Sequence, residues 1–166
     1  MDQDLTAGRV ALVSGAGQGM GAACARRLAA DGGRLVLFDL RQEPLDALAA
    51  ELSAAGAEVV TVRGDVRSPQ PGVDAALAEF GRLDVLVNAA GILYGGSALD
   101  ISEDEWDRVL GINLKGAFLI SQCAARPMLD QGWGRIVHFS STAGKTNSTL
   151  GEIGRASCRE RVLVAV

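Results

Sequence analysis

Short apolar runs alternate along this chain with stretches whose apolar positions recur every three or four residues. Val10-Ala11-Leu12-Val13, Leu35-Val36-Leu37-Phe38, Val59-Val60-Thr61-Val62, Leu83-Asp84-Val85-Leu86-Val87 and Arg135-Ile136-Val137-His138-Phe139 predict five strands. Between the first two, Met20 to Asp31 predicts a helix with Cys24 and Leu28 on one face, stopped by Gly32-Gly33. A second helix is predicted from about Pro44 to Ala55, with Leu45, Leu48 and Leu52 as its stripe. Val73, Ala76, Leu77 and Phe80 mark a brief third, with Pro69 and Pro71 barring an earlier start. Ser102-Glu103-Asp104-Glu105 has capping-box spacing and opens a long helix whose stripe includes Trp106, Val109, Leu110 and Ala117. Nearly unbroken apolar strands alternating with helices predict an α/β fold, a doubly wound parallel sheet covered on both faces.

Ligands in such sheets bind beyond the carboxyl ends of the strands. Those ends carry polar residues or glycines here: Ser14-Gly15-Ala16-Gly17-Gln18-Gly19-Met20-Gly21, Asp39, Asp65-Val66, Asn88-Ala89-Ala90-Gly91 and Ser140-Ser141. The glycine cluster lies between a strand and a helix start, where close backbone approach, free N–H groups and the helix dipole suit a phosphate. Asp39 ends strand two and can accept both ribose hydroxyls of an adenosine while repelling a 2′-phosphate, which favours NAD; Arg41 nearby keeps NADP open. Asp65 is placed to accept a hydrogen bond from an adenine amino group, with Val66 against the ring; its alternative is a plain turn acid. Asn88 either borders the cofactor or ties neighbouring strands together. Asn113 projects from an apolar helix face, so it is either a satisfied core amide or one that holds a water or a catalytic side chain. Ser141 could hold a substrate oxygen, whereas His138, mid-strand, reads as a satisfied sheet residue.

Composition narrows the classes. The 166 residues suit one domain, and a formal net charge of −4 leaves no basic footprint for nucleic acid. Cys24, Cys123 and Cys158 lack paired or metal-ligand spacing, and His138 is the sole histidine. No apolar run reaches the roughly 20 residues of a membrane span, and the acidic start is unlike a secretory signal, so a cytoplasmic protein is expected.

Together these residues resemble the short-chain dehydrogenase/reductase family over about residues 8–151. Ser14-Gly15, Gly19-Met20-Gly21, Asp65-Val66, Asn88-Ala89-Ala90-Gly91, Asn113 in Gly-Ile-Asn-Leu-Lys-Gly and Ser141 in Phe-Ser-Ser-Thr-Ala-Gly match in order and spacing. The resemblance implies a Rossmann-type domain that is incomplete at its C-terminal end, with about five strands. It further implies an NAD(P)-dependent oxidoreductase interconverting a small-molecule alcohol and a ketone by hydride transfer, usually as a homo-oligomer, with no nucleic-acid or membrane partner and no metal. Cofactor contacts would come from Gly15, Gln18, Gly19, Met20, Gly21, Asp39, Leu40, Asp65, Val66, Asn88, Ala89 and Gly91, and catalytic ones from Asn113 and Ser141.

The family's chemistry also needs a tyrosine followed four residues later by a lysine, the lysine lowering the pKa of the tyrosine that shuttles the proton. The tyrosine window holds Ile153-Gly154-Arg155 and the lysine window Ser157-Cys158-Arg159. The only tyrosine is Tyr94 and the only lysines are Lys115 and Lys145, so no Tyr-x3-Lys occurs. Residues 152–162 resemble a translated sequencing adapter, and 152–166 is expected to be a tail foreign to a gene whose dinucleotide-binding domain spans 1–151. On this reading the parent gene encodes the dehydrogenase and the chain as written is inactive. The alternatives are a non-catalytic dinucleotide-binding or interaction protein, and a non-functional product.

Overall fold

The computed structural model describes residues 7–93 and 99–140 and a short strand at 164–165. Its strands are β1 (Val10–Ser14), β2 (Arg34–Asp39), β3 (Val59–Arg63), β4 (Val85–Asn88), β5 (Arg135–His138) and β6 (Val164–Ala165). They form one sheet in the order β3-β2-β1-β4-β5-β6. The first five are parallel, and β6 adds antiparallel to β5. The strand order reverses between β1 and β4, and this switch point is where the ends of β1 and β4 open a crevice.

Alternation along each strand feeds two cores. Val10 and Leu12 of β1, Val36 and Phe38 of β2 and Leu86 of β4 meet Val73, Ala76, Ile120, Ala124 and Met128 on one face. Ala11, Val13, Leu35, Leu37, Val85 and Val87 meet Ala22, Ala25, Leu45, Leu48 and Leu52 on the other. These helical residues belong to α3 (Gln70–Phe80) and α5 (Ala117–Asp130) on the first face, and to α1 (Gly19–Ala30) and α2 (Gln42–Ala54) on the second. Burial on both faces explains why the strands read as unbroken apolar runs.

Three local expectations change. α3 starts at Gln70, with Pro69 as N-cap and Pro71 inside the first turn. Proline is tolerated there because the first-turn N–H groups have no intrahelical acceptor, so the two prolines begin this helix rather than delay it. The long helix from Ser102 has the expected capping box but is α4 (Glu103–Leu110), a π-helical segment (Gly111–Gly116) and α5 in succession. Trp106, placed on the buried stripe by its spacing, is 43% exposed, whereas Val109 is buried.

Candidate functional site

A cavity of about 370 Å³ opens at the carboxyl ends of β1, β2, β3 and β4. This size falls in the range of small-molecule sites, about 300–1,000 Å³. Gly15, Gln18, Gly19, Met20 and Gly21 line it from the glycine turn, Asp39 and Leu40 from the end of β2, Asp65 and Val66 from beyond β3, and Ala89 and Gly91 from beyond β4. Eleven of the twelve residues expected at a cofactor are therefore at one cavity; Asn88 is the exception.

Two glycines are required by close approach. Gly15 has φ +68°, and a Cβ there would lie 2.7 Å from the Ala90 nitrogen and 2.8 Å from the Ala89 carbonyl carbon. At Gly21 a Cβ would overlap the Gly15 carbonyl oxygen. The turn thus folds against the Asn88–Gly91 segment on one side and its own helix on the other. α1 starts directly from it, with extended Gln18 as N-cap and no side chain capping the first turn. Its leading N–H groups and dipole are left available to an anion beside the cavity. A dinucleotide's pyrophosphate fits this arrangement.

Asp39 is held in place at the cavity's edge. Its Oδ2 accepts from the Gly17 N–H at 3.0 Å and its Oδ1 from the Arg41 N–H at 3.1 Å, with the Arg41 guanidinium 4.0 Å away. The carboxylate is therefore tied to the glycine turn itself. Asp65 is gripped by Arg67, whose Nη2 donates at 2.6 Å, Nε at 3.0 Å and backbone N–H at 2.8 Å. The Arg67 side-chain hydrogen bonds hold the Asp65 carboxyl below the usual carboxylate range.

Both asparagines serve the framework. Asn88 is fully buried; it accepts from the Ser14 hydroxyl and its amide N–H group meets His138 Nδ1 at 3.1 Å. The side chain thus ties neighbouring strands, the second of its two expected roles: it is turned into the sheet because β1 and β5 flank it there. Asn113, on the π-helical segment and 4% exposed, accepts from the Ile92 N–H at 2.9 Å and donates to the Ile92 carbonyl at 2.8 Å. It is a satisfied core amide that fixes Ile92, and Ile92 lines the cavity. Ser141, Tyr94 and the windows for the tyrosine and lysine lie outside the described residues.

Several lining residues went unread in the sequence: Phe38, Gly64, Ile92 and Ile112. Gly64 had a signal, a glycine directly after a strand, and a Cβ there would collide with the Phe38 ring. Ile92 and Ile112 had none, because an isoleucine in a loop or helix looks the same whether it faces a core or a ligand.

Burial pushes the Cys24 and Cys123 thiols up, which disfavours the reactive thiolate. Among the described residues no group of three potential metal ligands is found, and no helix is long and apolar enough to cross a membrane.

Comparison with known proteins agrees with this geometry. The model of the short chain dehydrogenase family matches residues 9–157. A D-threitol dehydrogenase of Mycolicibacterium smegmatis is 44% identical over 142 residues, which cover 82% of this chain and 54% of that protein. A 3-alpha-(or 20-beta)-hydroxysteroid dehydrogenase of Mycobacterium tuberculosis is 43% identical over 140 residues, 82% of this chain and 53% of that protein. A short-chain dehydrogenase/reductase from Burkholderia phymatum, solved in complex with NAD, superposes with a TM-score of 0.90 at 36% identity, covering 95% of this chain and 57% of that one. The chain spans about half the length of the curated relatives it matches. With this fold, this glycine turn and these matches, the chain belongs to the short-chain dehydrogenase/reductase family.

Proposed function

We propose that this chain is the dinucleotide-binding part of an NAD(P)-dependent oxidoreductase that interconverts an alcohol and a ketone. The observation that carries the reading is the uncapped α1 N-terminus and the Asp39 carboxylate facing one cavity at the sheet's switch point. The α1 N–H groups bind and orient a pyrophosphate, Asp39 accepts the adenosine ribose hydroxyls, and Val66, with Asp65 beside it, borders the adenine. Asp39 favours NAD over NADP, since a 2′-phosphate would meet a carboxylate already fixed by the Gly17 N–H. When bound, the nicotinamide accepts or returns a hydride. Ser141 holds the reacting oxygen, and Asn113 supports the proton path by fixing the wall at Ile92. The names of the threitol and hydroxysteroid dehydrogenases support an alcohol or ketone as substrate.

Absence of any Tyr-x3-Lys supports a second part of the reading: the chain as written binds cofactor without turnover, and residues 152–166 are foreign to the parent gene. The parent enzyme is read as cytoplasmic and homo-oligomeric, the latter supported by exposed Leu114 and Phe118 near the start of α5. Resequencing across codon 151 tests the tail, and an encoded tail at full read depth would remove that part. Joining a family-type continuation after Gly151 should yield alcohol-dependent NAD reduction. Ser141→Ala and Asn113→Ala should each reduce that turnover sharply, and full activity in Ser141→Ala would refute the assignment of the serine.

A further inference from the structure

A chain of side-chain hydrogen bonds runs beneath the cavity from the start of α5 to the glycine turn. The Ser121 hydroxyl donates to the Ala117 carbonyl at 2.6 Å and meets His138 Nε2 at 2.9 Å. His138 Nδ1 lies 3.1 Å from the Asn88 amide nitrogen, and Asn88 Oδ1 accepts from the Ser14 hydroxyl. The sense of these links follows from the Ser121 end. The Ser121 proton is committed to Ala117, so its oxygen must accept from His138 Nε2–H. Nδ1 then carries no proton and accepts from the Asn88 amide, which leaves Asn88 Oδ1 for Ser14.

The far end of this chain is the joint of the cavity. Ser14 immediately precedes Gly15, its carbonyl accepts from the Ala89 N–H at 3.1 Å, and Gly15 and Ala89 pack too closely to admit a Cβ. The Asn88 amide is thus bonded, through the Ser14 hydroxyl, to the residue at which the glycine turn meets the Asn88–Gly91 segment. We propose that His138 is a positioning residue for the dinucleotide cradle, acting through the Asn88 amide and Ser14. His138 does not touch the cavity; its imidazole Nδ1 selects the amide orientation that keeps the cradle's two walls in register. The inference rests on the cofactor reading above.

The sole histidine makes this directly observable, since the imidazole nitrogen signals of the 15N-labelled chain belong to His138 alone. At neutral pH they should show the Nε2–H tautomer, and an Nδ1–H tautomer or an imidazolium would overturn the proposal. Calorimetric titration with NAD gives the second readout. His138→Leu leaves the Asn88 amide without its acceptor and should weaken NAD binding by roughly tenfold. His138→Asn, whose Oδ1 can take the place of Nδ1, should restore affinity to within about threefold of the unmodified chain, well inside that tenfold loss. A purely structural role would lower the melting temperature of both variants and leave both affinities unchanged, which overturns the proposal. Failure of the unmodified chain to bind NAD would instead defeat the cofactor reading on which it rests.

Discussion

At the scale of single residues, two aspartates that each accept from backbone N–H groups do different work. Asp84 is fully buried at the foot of β4, where its Oδ2 accepts from the Val10 N–H at 2.9 Å and Arg82 donates Nη2 at 2.6 Å. Burial pushes its carboxyl up, but the hydrogen bonds from Arg82 and Val10 together outweigh this and hold it below the usual carboxylate value. Its folded pKa thus lies below its unfolded one, so its contribution to stability is present above the unfolded value and is lost as pH falls through the folded one. Asp84→Ala should cost about 1–3 kcal/mol at neutral pH by stranding the Val10 N–H, and the gap to the unmodified chain should shrink on acidification into that window. Denaturant titrations of both chains across that range measure it. Asp39 is tied by two backbone N–H groups yet stands at the cavity edge, where a ligand hydroxyl can reach it. Its position was legible because a carboxylate ending the second strand is set by chain order. The inward turn of Asn88 was not, because its neighbours Ser14 and His138 come from strands far away in sequence.

At the scale of elements, the π-helical segment Gly111–Gly116 is the least predictable feature and one that shapes the site. Apolar spacing at 3.6 residues per turn reads straight through it, since one extra residue in a turn leaves no compositional mark. It places Asn113 where both polar ends of the amide meet the Ile92 backbone. It also brings Gly116 so close to Val66 that a Cβ would lie 2.5 Å from Val66 Cγ2. Gly116→Val should push Val66 into the cavity and weaken NAD binding by roughly tenfold or more, while a smaller loss follows from Gly116→Ala. Unchanged affinity in the valine variant would separate this segment from the cradle. The Ser102 capping box was legible because it is purely local: the Ser102 hydroxyl accepts from the Glu105 N–H and the Glu105 carboxylate returns to the Ser102 N–H. Ser102→Ala should destabilise the chain by about 1 kcal/mol without changing NAD affinity, as read by denaturant midpoint and calorimetry.

At the scale of the whole molecule, the sheet order makes the cavity. Strand periodicity and helix spacing announce a doubly wound sheet, and right-handed crossovers then bring the ends of β1 and β4 side by side. The glycine turn and the Asn88–Gly91 segment, 73 residues apart from Gly15 to Asn88, become the two walls of one crevice. That much of the site follows from pattern alone. The exact apolar lining does not, because Ile92 and Ile112 face the crevice only through tertiary packing. The central claim is that this crevice is a dinucleotide cradle with Asp39 as its selector. Calorimetric titration of the chain and of Asp39→Ala with NAD and NADP tests it most directly. The account predicts that the unmodified chain binds NAD at one site and at least about tenfold more tightly than NADP, and that Asp39→Ala erases most of this preference. No binding of NAD, or an undiminished preference for NAD in Asp39→Ala, would contradict it.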